Sequence, residues 1–223
     1  MLRLGIDTSQ AVGVGLAWPG GQRGLREDDT RSHVERLAGL IRDVFQADPE
    51  GRALADVDEI AVGVGPGPFT GLRVGVAAAL ALGEALGVPV RGVCSLDVVA
   101  CQLLDANPGG VAPLDGGFVV ASDARRKELY WALYRPDGQR REGPFVTPPD
   151  QLPVLPTCGP AASLYPLAGE IVAADATAQV DAAVMAAQAD ALPDAGLDPL
   201  YLRRPDAQVP TRRKSVLTFG RLT

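Results

Sequence analysis

GVGPGPFTGLRVG, residues 63–75, is the stretch from which the architecture can be worked out. The short apolar run Ile60 to Val64, bounded by acids, reads as an inner parallel strand, and Gly65-Pro66-Gly67-Pro68 ends it in a rigid turn. Pro66 and Pro68 restrict the backbone, Gly65 and Gly67 admit positive φ, and Thr70 stands where it could cap a helix running from Gly71 to Leu86. The turn is not a Walker loop, because no Gly-Lys-Ser/Thr follows. It also fails G-x-G-x-x-G, since Pro68 takes the third glycine's place, so a phosphate cradle is not indicated. Along the helix Gly71, Gly75, Ala79, Gly83 and Gly87 recur every four residues, which aligns small side chains in one stripe. Glycine in a helix costs about 1 kcal/mol relative to alanine, so the stripe needs a close neighbour. That neighbour is either the chain's own sheet or the helix of a second subunit.

Upstream, Leu2 to Ile6, Ala11 to Trp18 and Gln22 to Glu27 read as three antiparallel strands, with Val12, Val14, Leu16 and Trp18 on one face. Ser32-His33-Val34-Glu35 has the form of a capping box and starts a helix from His33 to Phe45. Downstream come a strand at Val90 to Val93 and a helix from Ser95 to Asp105, which together imply a mixed sheet with helices packed on it. Asn107-Pro108-Gly109-Gly110 marks a boundary. Beyond it the pattern restarts with a strand at Phe118 to Ala121 and a hairpin, Glu128 to Tyr134 and Gln139 to Pro144. A strand near Ile171 and a helix from Ala178 to Ala189 complete the second half. The restart is what a duplicated lobe leaves behind. It divides the chain into an N-terminal lobe (1–106), a C-terminal lobe (107–205) and a basic tail (206–223).

The chain of 223 residues is long enough for two such cores, and 47% hydrophobic residues with 22% charged supply the apolar surface for them. A formal charge of -6 argues against gripping nucleic acid unaided. Cys94, Cys101 and Cys158 are odd in number and lack C-x-x-C, which indicates neither a disulfide framework nor zinc. Asp7 interrupts the place of a signal peptide's apolar run, and no uninterrupted apolar stretch of about 18 residues is seen, so a cytoplasmic chain without membrane segments is expected.

GPGPFTGLRVG resembles the GPGSFTGLRIG signature of the TsaB (YeaZ) family, with Pro68 where serine is usual. LGIDTS (4–9), HVERL (33–37), DARRKELYWALY (123–134) and PLYLRRP (199–205) resemble further stretches of that family. The resemblance implies a two-lobed actin/Hsp70-like (ASKHA, ribonuclease H-like) fold. It also implies a non-catalytic role beside a TsaD-like catalytic subunit in forming N6-threonylcarbamoyladenosine at position 37 of tRNA. A TsaE-like ATPase is a further candidate partner, tRNA is met only through the complex, and the chain alone is expected to form a homodimer. The expected partner interface comprises His33, Leu37, Leu40 and Ile41 on the first helix with Gly71, Val74, Gly75, Ala78, Ala79 and Leu82 on the second.

Actin-like ATPases place an aspartate and small hydroxyl residues at the end of the first strand, where Asp7-Thr8-Ser9 stands, and Asp123 holds the matching place in the second lobe. These four could contact a nucleotide, or could serve as turn residues that satisfy local backbone donors. No tightly bound cofactor is expected, only ATP or ADP with magnesium at or near the partner interface. The alternative function is an ATP-dependent small-molecule kinase or ATPase using Asp7 and Asp123. One histidine, His33, falls short of the three protein ligands a catalytic zinc needs, and no G-x-S-x-G elbow is present, so no metal or catalytic residue is assigned.

Overall fold

The computed structural model describes residues 1–28, 33–106, 116–174 and 178–203, without the side chains of 33–35. The expected boundary at Asn107–Gly110, the capping serine Ser32 and the basic tail lie outside the described residues. Among the described residues ten strands and four α-helices follow in the order β1 (Arg3–Asp7), β2 (Val12–Trp18), β3 (Gly21–Glu27), α1 (His33–Gln46), β4 (Glu59–Gly65), α2 (Phe69–Leu86), β5 (Val90–Cys94), α3 (Ser95–Asp105), β6 (Phe118–Asp123), β7 (Leu129–Tyr134), β8 (Arg140–Thr147), β9 (Thr157–Cys158), β10 (Ile171–Ala173) and α4 (Ala182–Gln188).

The strands form two sheets, β3-β2-β1-β4-β5 and β10-β9-β6-β7-β8. In each, the opening strand pairs antiparallel with the second and parallel with the fourth, as β1 does with β2 and β4 and as β6 does with β7 and β9. The duplicated topology expected from the restart of the strand pattern is therefore present, as two mixed sheets with packed helices.

Alternation along β1 and β2 sorts the layers. Leu4, Ile6, Val12, Val14 and Leu16 face a core shared with α1 and α2, including Leu37, Val44, Val76 and Ala79. The opposite face is nearly bare. Gly5 pairs across strands with Gly15, and α4 lies directly on them. A Cβ on Gly5 would sit 2.0 Å from the Ala182 carbonyl oxygen, and one on Gly15 would sit 2.2 Å from the Ala183 nitrogen. The alanine-rich α4 thus packs backbone to backbone on the first sheet. It begins later than its sequence suggests, because the Asp181 carboxylate accepts from the Ala183 N–H and caps the helix there. Helix α3 contributes Leu96, Val99 and Leu103 to a second core that joins α4 to Phe118, Val120 and Tyr134 of the second sheet.

After α4 the chain returns along the first sheet. Ala195 N–H bonds Gly92 O, Leu200 N–H bonds Val64 O, and the Tyr201 ring packs tilted at 36° against Phe69 with centroids 4.5 Å apart. By length and composition α2 alone among the described helices could cross a membrane, a property that the broken apolar pattern of the sequence did not suggest. Its Gly71, Leu72, Gly75, Val76, Ala79 and Gly83 are buried on the sheet.

Candidate functional site: an apolar groove and an inter-lobe turn cluster

Helix α2 starts at Phe69, two residues before the expected position, with Pro68 as N-cap and no side-chain cap. Thr70 therefore lies inside the first turn, exposed. The physical reason is in the turn: Gly65 takes φ +101°, and the Pro68 carbonyl already accepts the Leu72 N–H at 3.1 Å.

This start settles which way the glycine stripe faces. A Cβ on Gly75 would lie 2.2 Å from Thr8 Oγ1, and Thr8 Oγ1 donates to the Gly71 carbonyl at 2.8 Å. A Cβ on Gly83 would meet Val90 Cγ2 at 2.3 Å. Gly71, Gly75 and Ala79 are thus buried against the chain's own sheet, and the expectation that they carry a partner helix is corrected. The small residues exist because β1 and β5 run close beneath α2.

The outer face of the same helix carries a second row of small residues, Ala77, Ala81 and Ala85, all exposed, with Leu80 43% exposed among them. Val74, Ala78 and Leu82 are half-buried beside them. Val74, Ala77, Ala78, Ala81 and Leu82, with Leu37 and Ile41 of α1, line an open groove of about 680 Å³ between α1 and α2. Leu37 and Ile41 form its buried floor, and Leu40 packs toward the sheet core. Phe69 closes one end, with the Arg73 guanidinium 3.9 Å above its ring. The side chain of His33 lies outside the described residues. Ala77, Leu80 and Ala81 were missed in the sequence, although the four-residue spacing of Ala77, Ala81 and Ala85 matches that of the glycines.

The four candidate nucleotide residues separate into two groups. Asp7 is 2% exposed at the end of β1, and its Oδ1 accepts from the Ser9 N–H (2.9 Å) and Ser9 Oγ (2.7 Å). Its Oδ2 accepts from Ser95 Oγ at 2.6 Å. Burial pushes the Asp7 carboxyl above its ordinary value, against the pull of Ser95 and Ser9. Asp123 is more open: its Oδ1 accepts from the Arg125 N–H (2.8 Å) and the Tyr165 hydroxyl (3.2 Å). A cleft of about 270 Å³ brings together Ser9, Gln10, Asp123 and Arg125, but Asp7 and Thr8 do not line it. Asp7 is engaged as an internal acceptor that ties β1 to the head of α3. Among the described residues no three His, Cys, Asp or Glu side chains converge as a metal site.

The raised carboxyl has a measurable consequence. A folded state that holds the Asp7 proton more tightly than the unfolded chain is most favoured below about pH 4, the ordinary aspartate range, and loses that contribution as pH rises through the raised folded value. The thermal midpoint of Asp7→Asn, followed from pH 4 to 7, is expected to fall less than that of the parent chain. An identical pH profile for the two would show that the Asp7 proton is not linked to folding.

Between Asp123 and Leu129 the β6–β7 turn places Arg125, Arg126 and Lys127 in succession at φ 63°, 53° and 63°. The left-handed region costs a side-chain-bearing residue on the order of 1–2 kcal/mol. Arg203 holds the turn by donating to the Ala124 carbonyl at 2.8 Å and pairing with Glu128.

The family model described as TsaD, tRNA N6-adenosine threonylcarbamoyltransferase, matches residues 27–195. A Mycobacterium leprae protein, ML0378, is 39% identical over 217 residues, covering 87% of this chain and 51% of its own length. The tRNA threonylcarbamoyladenosine biosynthesis protein TsaB of Escherichia coli is 34% identical over 135 residues, covering 60% of this chain and 55% of that protein. The chain thus spans about half the length of these two relatives. A solved structure from Pseudomonas aeruginosa, described as similar to peptidase YEAZ, superposes with a TM-score of 0.65 at 30% identity over 82% of this chain and 87% of that one. A duplicated pair of mixed sheets, the rigid turn ahead of α2 and these likenesses agree: the chain belongs to the TsaB (YeaZ) family.

Proposed function

We propose that this chain is a cytoplasmic, non-catalytic subunit that docks a TsaD-like catalytic subunit through the α1–α2 groove and supports it in forming N6-threonylcarbamoyladenosine at position 37 of tRNA. The observation that carries this reading is the outward face of α2. An 18-residue apolar helix with only a third of its length buried leaves an aliphatic surface in water, which favours being covered. Among its exposed residues Ala77, Ala81 and Ala85 recur at four-residue spacing, and such small side chains let another helix approach to the ~8–10 Å separation of close packing. Family membership supports a TsaD-like partner. In the absence of that partner the same surface pairs with a second copy of the chain. The internal engagement of Asp7 by Ser9 and Ser95 supports a structural role for the strand-end aspartate and weakens the kinase alternative.

The test is reconstitution of the tRNA modification with a TsaD-like enzyme and a TsaE-like ATPase, with and without this chain. The expected outcome is a modification rate that rises with added chain and saturates near one equivalent of enzyme. An unchanged rate at every ratio would end this reading.

A further inference from the structure

We propose that the turn Arg125-Arg126-Lys127, together with the neighbouring Tyr201 ring, is a contact surface for single-stranded RNA, with phosphates on the cations and a base on the ring. The first ground is conformational. Three successive side-chain-bearing residues in the left-handed region are strained, and such strain persists only where neighbours over-determine it. Here they do: Arg203 bonds the Ala124 carbonyl and the Glu128 carboxylate, and Asp123 accepts from the Arg125 N–H. The fold therefore braces this turn from both ends while leaving all three long cations exposed. Any of the three positions could relax as glycine, so the cations are not there to make the turn.

The second ground is what lies beside the turn. A pocket of about 190 Å³ separates it from Gly67–Phe69, and Tyr201, itself 39% exposed, lines that pocket. Tyr201 is held by its tilted ring contact with Phe69 and by the Arg73 Nε–H donated to its hydroxyl at 3.1 Å. Cations alone would suit any anion. A fixed, exposed ring next to them adds the stacking platform that an unpaired base uses, a combination characteristic of single-strand binding and of no use to a duplex. The overall charge of -6 opposes RNA, so the contact is weak in the isolated chain and adds to binding within an assembly. The surface adjoins the α1–α2 groove at Phe69 and Arg73, but its test needs no partner protein.

The experiment is fluorescence anisotropy of a short labelled single-stranded RNA titrated with the full chain at low salt. Saturable binding is expected, weakened about tenfold by Arg125→Glu/Lys127→Glu, with a salt slope reduced by roughly 0.7 per lost phosphate contact. Tyr201→Ala is expected to weaken it as well without changing that slope. Arg42→Glu/Arg141→Glu, an equal charge change at exposed positions elsewhere, should leave the affinity within about twofold of the parent's. Melting curves of each variant confirm the fold. Absence of saturable binding, equal losses in the two double variants, full binding by Arg125→Glu/Lys127→Glu, or displacement of the RNA by equimolar ATP would each overturn the proposal.

Discussion

Arginine at both Ala77 and Ala81 is expected to leave the chain folded and to weaken its self-association by about thirtyfold or more. Both positions are exposed on α2, where arginine is a good helix former, so the monomer loses little. In a covered groove the same two side chains would place charge and bulk where alanine methyls permit close approach. Burying even one unpaired charge costs roughly 2 kcal/mol or more, which is the thirtyfold figure. Sedimentation over a concentration series reads the result directly: the parent chain should shift toward the dimer while the variant stays monomeric at the same concentrations. Equal pairing by both would move the interface to another face. Gly75, by contrast, tests nothing about association, because a side chain there would collide with Thr8 before any partner arrived.

The second large effect concerns stability. Gly15→Val should lower the thermal midpoint by about 6–12 °C, corresponding to roughly 3 kcal/mol in a chain of this size. Valine is a favourable strand residue, so propensity alone predicts a gain. The structure reverses the sign, since the new Cβ would stand 2.2 Å from the Ala183 nitrogen and 2.4 Å from its Cα. These are backbone atoms that cannot swing aside. Relief requires lifting α4 off the sheet, which opens the core around Met185 and Ala182. Gly39→Ala is the control: its Cβ meets only the end of Arg42 at 3.9 Å, and alanine should stabilise α1 by about 0.5–1 kcal/mol. A midpoint for Gly15→Val within about 2 °C of the parent's would mean that α4 does not rest on β1 and β2 as closely as described.

The contrast between these two predictions shows what local pattern can reveal. Strand alternation and the restart after residue 116 were legible because each depends on side chains a few residues apart. The four-residue spacing of Gly71, Gly75 and Ala79 was equally legible, yet spacing reports only that small residues align, not what lies opposite. Thr8, more than sixty residues earlier, supplies that answer. The outward alanines repeat the same period one face away; of the α2 residues expected at an interface, Val74, Ala78 and Leu82 line the groove while Gly71, Gly75 and Ala79 are buried on the sheet. Leu37 and Ile41 were found because an amphipathic helix advertises its apolar face, and they serve both the core and the groove floor.

Long-range hydrogen bonds account for the rest. Asp7 reads in sequence either as a strand-end aspartate for a nucleotide or as a turn residue that satisfies local backbone donors, and its bond from the Ser9 N–H fits the latter. Its second oxygen is taken by Ser95, 88 positions away, and no local rule predicts that bond. The braces on the 125–127 turn are similar. DARRKE gives no warning of three left-handed residues, because Arg203 and its partner Glu128 meet only when the returning C-terminal segment passes the second lobe. Helix α4 was drawn too long because alanine favours helix everywhere, whereas the cap at Asp181 fixes the first turn.

We propose the outer face of α2 as a binding surface for another protein. Its most direct test is the binding isotherm of a TsaD-like enzyme with the parent chain and with Ala77→Arg/Ala81→Arg. Saturable binding by the parent at one to one, lost by thirtyfold or more in a variant with an unchanged melting curve, is the predicted result. Equal affinity for the two chains would contradict it.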